Sequence, residues 1–391
     1  MGLFGKKKTE ELVAIFDIGS GSVGGALVSF PIDVTEIPVI KKSFRTDINY
    51  TSDKINVGLF TNSMLKALHS TADGLFQGKI GAPDRIVVVV ASPWYSSETR
   101  IVKMTKEIPF IFTHKIADDL LDKELKSITL DNTKKTKTIY NELEVMEHHI
   151  MDVSLNGYEV LDPIGMRTKS VEMNMIFSFS QKLFLDKIRK EIIKTFNDIP
   201  VYFSSFIVAS YFAVRDKYVS PDSYLLLDIG GEVTEVGIVS KGILKASLSF
   251  PFGKKTFYKY ICTKLEIELR DAKEIISLYN SGDMSSEQKT KYDLLFKSIE
   301  SSWSEAFREC IGGLPHVLAL PSTVFLTADS DILNWFTSVV SNEEYIQSMT
   351  IDHKCTVVSL KSSDFFMKCR ADNGVDLDPF LMIEVIALMR K

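Results

Sequence analysis

An α/β chain built from two similar lobes is the fold class this sequence predicts. Three observations predict it. A strand, an Asp-Ile-Gly turn and a second strand occur twice, as "VAIFDIGSGSVGGALV" at 13–28 and "LLLDIGGEVTEVGIV" at 225–239. Apolar, strand-like runs alternate with segments of helical period along the chain. At 391 residues the chain exceeds what one ordinary core accommodates.

The elements follow in order. Residues 12–30 read as a strand pair, and "INVGLFTNSMLKALHSTADGLFQ" places Val57, Phe60, Met64, Leu68 and Leu75 at helical spacing. "RIVVVVAS" (85–92) has the composition of a buried strand and ends at Pro93. Residues 113–128 have a Thr cap and a helical period, while 130–142 is polar and reads as a loop. In "SVEMNMIFSF" strict alternation sets Val171, Met173, Met175 and Phe177 on one face of a strand. Helices follow at 181–196 and 204–214, and then the second hairpin from 223. Residues 254–280 and 286–311 read as helices, 322–331 as a strand entering a loop, and 332–340 as a helix. The closing helix, 378–391, has proline in its first turn and apolar residues around most of its circumference, which predicts burial.

Composition narrows the function. Hydrophobic residues make up 45% and charged residues 25%, a globular balance. A net charge of −5 argues against broad nucleic-acid binding. Cys262, Cys310, Cys355 and Cys369 lie far apart, with no CxxC, which argues against structural zinc or a disulfide framework and for a cytoplasmic protein. No run reaches the ~20 apolar residues of a membrane span. The opening "MGLFGKKK" reads as a frayed basic tail able to touch an anionic membrane surface, and Lys6 stands where a myristoylation pattern has Ser or Thr.

The hairpins carry the chemistry. Gly19, Gly21, Gly230 and Gly231 permit positive φ and let backbone N–H groups approach an anion. Ser20, Ser22 and Thr234 add hydroxyl donors. Asp17 and Asp228, at the strand ends, repel a phosphate unless Mg²⁺ lies between, held through water. Two facing hairpins would then grip one nucleotide tail from both sides.

This pattern resembles the actin-like ATPase superfamily, whose two phosphate loops the hairpins match. The resemblance implies a duplicated ribonuclease-H-like fold that binds ATP and Mg. "LRDAKEIISLY" (269–279) resembles the helix that meets the nucleoside, which assigns Lys273 and Glu274 to that contact. Residues 143–192, with "DPIGM" at 162–166, resemble the insertion subdomain of FtsA, the bacterial cell-division actin; PilM, the pilus-assembly relative, has the same kind of insertion. The implied layout is a tail (1–11), a first lobe (12–95), an insertion (96–200), a connecting helix (201–222), a second lobe with a reduced outer subdomain (223–340) and a return to the first lobe (341–391).

Departures from the family bear on mechanism. The adenosine loop, commonly Gly-Gly, is Ala328-Asp329 here, and Glu232 and Glu235 stand where Gly and Asp are common. The helix at 204–214 lacks the acid or amide that positions water, and Ser204 and Ser205 are poor bases alone. Weak or absent turnover is therefore expected, with ATP fixing the lobe angle. Residues 280–311 leave little room for the strands with which FtsA meets its tubulin-like partner. The expected function is a cytoplasmic scaffold that self-associates into dimers or filaments. It would meet division or envelope proteins at the membrane, directly through its tail or through a partner. The alternatives are a PilM-like pilus scaffold and an active ATPase or kinase. Glu147, His148 and His149 could suggest a metal site, but neighbours on a strand point to opposite faces. Lys254 and Lys255 read as surface residues.

Overall fold

The computed structural model describes residues 9–33, 35–50, 56–77, 80–135, 142–218, 222–313, 320–350 and 354–389. The "MGLFGKKK" tail and its expected membrane contact lie outside the described residues. The first lobe opens with β1 (Glu10–Ile18), β2 (Ser22–Pro31), β3 (Val39–Asp47), α1 (Val57–Phe76) and β4 (Arg85–Val90). An insertion follows: β5 (Ser96–Ile111), α2 (His114–Lys135), β6 (Leu143–Leu155), β7 (Tyr158–Glu159) and β8 (Arg167–Gln181). The chain then returns to the first lobe through α3 (Lys182–Phe196), β9 (Val201–Ser205) and α4 (Phe206–Lys217). The second lobe holds β10 (Tyr224–Ile229), β11 (Thr234–Ser240), β12 (Ile243–Phe250), α5 (Lys254–Leu265), α6 (Leu269–Ser281), α7 (Ser286–Gly312), β13 (Thr323–Ala328), α8 (Ser330–Asn342), α9 (Glu344–Met349) and β14 (Thr356–Ser359). Finally β15 (Arg370–Ala371) and α10 (Pro379–Leu388) rejoin the first lobe.

The two lobes repeat one topology. The first sheet runs β15-β3-β2-β1-β4-β9 and the second β12-β11-β10-β13-β14. In each, the hairpin is antiparallel and the strand on its other side is parallel. Parallel strands need crossover helices, so each sheet is covered on both faces and its central strands read as unbroken apolar runs. Between the sheets, α4 and α10 carry Phe206, Tyr211, Ile383 and Val385 into one core shared with Val13, Ile15 and Leu226. Burial of α10 on nearly every side explains its lack of a polar face, as the sequence predicts.

Several expected boundaries move. The insertion sheet, β5-β8-β6-β7, ends at Gln181 rather than at 200, and α3 packs beside α1 in the first lobe's outer core. Residues 201–205 form a strand parallel to β4, so the connecting segment is a strand followed by a helix. The second lobe extends past 340, because β14 pairs with β13. Helix α2 runs through 130–135, where a loop was expected. The 254–280 helix is two, broken at Glu266, whose φ of 55° is left-handed.

Candidate functional site

The two hairpin turns meet at the centre of the molecule. In the first, the Gly19 N–H donates to Ser22 O at 3.1 Å; in the second, the Gly230 N–H donates to Val233 O at 2.9 Å. Both turns close the same three-residue gap. None of the four turn glycines has a positive φ, contrary to the expectation from sequence. Their role is close approach. A Cβ on Gly231 would lie 2.3 Å from both Cα and N of Gly21, so backbone passes backbone where no side chain fits. The Glu232 N–H donates to Ser20 Oγ across the same contact, at 2.9 Å. The turns expected to grip a phosphate tail from opposite sides instead touch each other.

The hydroxyls expected to face the anion are engaged within the protein. Ser20 accepts from Glu232, as above. Ser22 Oγ accepts from Arg45 Nη1 at 2.8 Å. Thr234 is fully buried in the second lobe and takes the Trp303 indole N–H at 3.3 Å, while its own hydroxyl donates to Phe252 O.

The two acids have different surroundings. Asp17 is buried and receives Arg45 Nη2 at 2.6 Å; Arg45 Nε donates to Asp378 Oδ2 at 2.5 Å. Burial pushes the Asp17 carboxyl up, and Arg45 works against that rise. Burial opposes the charge on Arg45, but Asp17 and Asp378 more than offset it and raise its affinity for the proton. Glu384, fully buried on α10, faces the same group, with Asp17 the carboxyl that acts on it most strongly. Burial first, then the charge of Asp17, holds its carboxyl well above the ordinary range.

Among the described residues no cation pairs with Asp228. Thr327 Oγ1 donates to Asp228 Oδ1 at 3.0 Å. Burial and then the charge of Glu235 raise the Asp228 carboxyl well above its ordinary value, with Asp17 adding to the effect. Glu235, opposite Asp228 in the β10–β11 register, reaches into the first lobe. It accepts the Tyr95 hydroxyl and the Ser92 N–H, and also Ser247 Oγ at 2.9 Å.

The test of Mg²⁺ against these residues is negative. Asp17 and Asp228 do converge, but Asp17 is engaged by a guanidinium, while Asp228 accepts from Thr327. In this arrangement Asp17 does not offer the free carboxylate that a hydrated cation needs. Among the described residues no group of three or more His, Cys, Asp or Glu side chains is placed to hold a metal ion.

The nucleoside side differs in a similar way. Ala328 ends β13 and is buried, and Asp329 opens α8. Lys254 ties to Asp329 at 2.8 Å and to Asp331 at 2.9 Å, and the Tyr258 hydroxyl donates to Asp331 at 2.9 Å. Lys255 pairs with Glu232 at 3.0 Å. The backbone N–H groups of Lys254 and Lys255 donate to Gly230 O and Gly231 O, each at 2.8 Å, so the first N–H groups of α5 are occupied too. These lysines are cleft residues rather than surface ones. Lys273 and Glu274 lie exposed on α6, whose buried face carries Ala272 and Ile276. Beside Arg45 a cavity of about 600 Å³ remains, lined by Phe44, Ala328, Asp329, Asp378 and Phe380.

One contact had no signal in the sequence of α4. Glu147 of β6 accepts Ser204 Oγ at 2.6 Å, the Ser205 N–H at 2.7 Å and a His149 nitrogen at 3.0 Å. Burial pushes its carboxyl up, but these bonds outweigh burial and hold it below the usual range. The insertion thus supplies the acid that caps the N-terminus of α4.

No protein-family model matches the sequence, and no curated protein matches it. Among solved structures, a chain of the PilM-PilN type IV pilus biogenesis complex superposes with a TM-score of 0.58 at 13% identity, over 96% of this chain and 96% of that one. The fold is that of the actin-like ATPases. More distant is the ethanolamine utilization protein EutJ from Carboxydothermus hydrogenoformans, at 10% identity and a TM-score of 0.41, over 98% of this chain and 90% of that one. The PilM likeness extends across both lobes and the insertion. Among the described residues no helix is long and apolar enough to cross a membrane.

Proposed function

We propose that this chain is a non-hydrolysing scaffold of actin-like fold, closer in working to PilM than to an ATPase, which meets proteins of envelope assembly. The observation that carries the reading is the contact of Gly21 with Gly231, which takes up the space a triphosphate tail would need. The likeness over the full chain to a structure from a pilus-assembly complex supports the envelope setting. The ion pairs of Lys254 and Lys255 across the nucleoside side, and the use of Glu147 as a helix cap rather than a water-positioning acid, support the absence of turnover. The division role implied by the FtsA likeness has no separate observation in its favour.

The test is calorimetric titration of Mg-ATP into the purified chain, with phosphate release measured in parallel. The expected result is no saturable heat at millimolar nucleotide and release at the buffer rate. Turnover, or transfer of phosphate to a small molecule, would overturn the scaffold reading.

A further inference from the structure

The insertion is fastened to both lobes. Toward the first, Glu147 of β6 takes Ser204 Oγ and the Ser205 N–H. Toward the second, β5 and β6 lie against β12, the edge strand of that lobe's sheet. An edge strand presents unpaired backbone groups, and covering it is one way to satisfy them. Thr99 Oγ1 of β5 donates to Leu244 O of β12 at 3.2 Å.

Alternation along the chain sorts these contacts. Tyr95, just before β5, and Thr99 fall on one face, and both reach the second lobe. Arg100 falls on the other face and pairs with Glu124 of α2 at 2.7 Å, inside the insertion. The Tyr95 hydroxyl donates to Glu235 of β11, where the Ser92 N–H and Ser247 Oγ also converge. A third hydroxyl crosses from α4. Tyr211 donates to Gly242 O at 2.6 Å, and Arg215 Nη1 donates to the same hydroxyl at 2.9 Å. Gly242 lies in the tight β11–β12 turn, with φ of 52° at Lys241 and 72° at Gly242, which fixes the direction of its carbonyl. Apolar packing runs through the same junction: Tyr95 and Ile176 of β8 share one core with Phe206, Leu226 and Leu244.

We propose that the insertion is a brace between the lobes. Its β6 fixes it to the first lobe, the segment from Tyr95 to Thr99 clasps β11 and β12 of the second, and this clasp, with Tyr211 beside it, keeps the two hairpin turns in contact. The cleft is then held closed from two places, at the turns and at the insertion, and drawing β5 off β12 parts the turns. This goes beyond the scaffold reading and does not depend on it.

The experiment is hydrogen exchange on the full chain, comparing the wild type with Tyr95→Phe/Thr99→Val/Tyr211→Phe. Each change removes a hydroxyl that crosses between the lobes and keeps the shape of the side chain. Tyr258→Phe is the control, because its hydroxyl bonds Asp331 within the second lobe. In the triple variant exchange should be about tenfold faster at 243–250 and at both turns, 19–22 and 230–232. Residues 13–16 and 225–227, inside the two sheets, should stay as protected as in the wild type. Tyr258→Phe should leave both turns and 243–250 unchanged.

Unchanged exchange at 243–250 overturns the proposal. So does a rise there with either turn still at wild-type protection, since the contact would then hold one strand and not the lobe. A rise spread evenly over both sheets, 13–16 and 225–227 included, or the same three segments opening in Tyr258→Phe, is general loss of stability and overturns it too. Should the triple variant not fold, Thr99→Val decides by the same criteria, with an expected rise of about threefold. ATP binding by the wild type would sink the scaffold reading and leave the brace standing, whereas a protected β12 in the triple variant sinks only the brace.

Discussion

The first and second hairpins place an aspartate at the same point of the same local structure and dispose of its charge in opposite ways. Asp17 keeps a charge partner, because β3 brings Arg45 and α10 brings Asp378 to it. Asp228 has Thr327 for a hydrogen bond and Glu235 for a neighbour, and burial with the Glu235 charge raises its affinity for the proton. Identical local sequence therefore does not specify protonation. What faces the carboxyl from outside the hairpin specifies it. The comparison also explains why one half of the cleft is bound to the C-terminal helix while the other is bound, through Glu235, to Tyr95 of the first lobe.

Matched substitutions break the comparison most sharply at the first hairpin. Asp17→Asn takes one of two carboxylates from the buried Arg45, leaving Asp378 to balance it, and should cost about 3 kcal/mol in urea unfolding. Asp228→Asn should cost well under that. A result in which the two cost the same would show that the ion pair does not distinguish the halves.

Next in size is the contact between the turns. Gly231→Ala places a methyl group against backbone, which cannot rotate away, and should cost about 2 kcal/mol. Hydrogen exchange at 19–22 and 230–232 should rise together in that variant. Exchange confined to one turn would mean that the turns are not mutually dependent.

The smallest effect is a slope. The unfolded chain releases the Asp228 proton near its ordinary value of 3.8, while the folded chain holds it well above that. From about pH 4 upward the folded state therefore binds more protons at this site, and the site's contribution to stability falls as pH rises. Asp228→Asn removes that loss. Its stability relative to wild type should increase with pH, and a difference independent of pH would show that Asp228 is ionised in the fold.

Legibility from sequence follows the same division. Both hairpins were readable because strand, turn and strand are contiguous and apolar. Strands β3 and β5 were not, since "VIKKSFRTD" and "SSETRIVKMTKEIPFI" are edge or near-edge strands with charged residues and no apolar run. The missing β3 mattered twice, because it carries Arg45. One local hint existed: Gly24, in the midst of a strand, marks a place where something passes close to the backbone. Glu147 was noticed, but only beside His148 and His149; its partners Ser204 and Ser205 lie 57 and 58 positions away.

By itself the sequence determined the duplication, the turn positions, the acid at each strand end and the buried closing helix. Each of these depends on neighbours in the chain, on period and on backbone geometry. The tertiary structure alone decided that the turns would touch and that Asp17 would meet a guanidinium rather than a hydrated ion. The free energy of a buried charge depends on the groups across the surrounding space, and here one of those groups, Asp378, arrives from 333 residues beyond the arginine it binds.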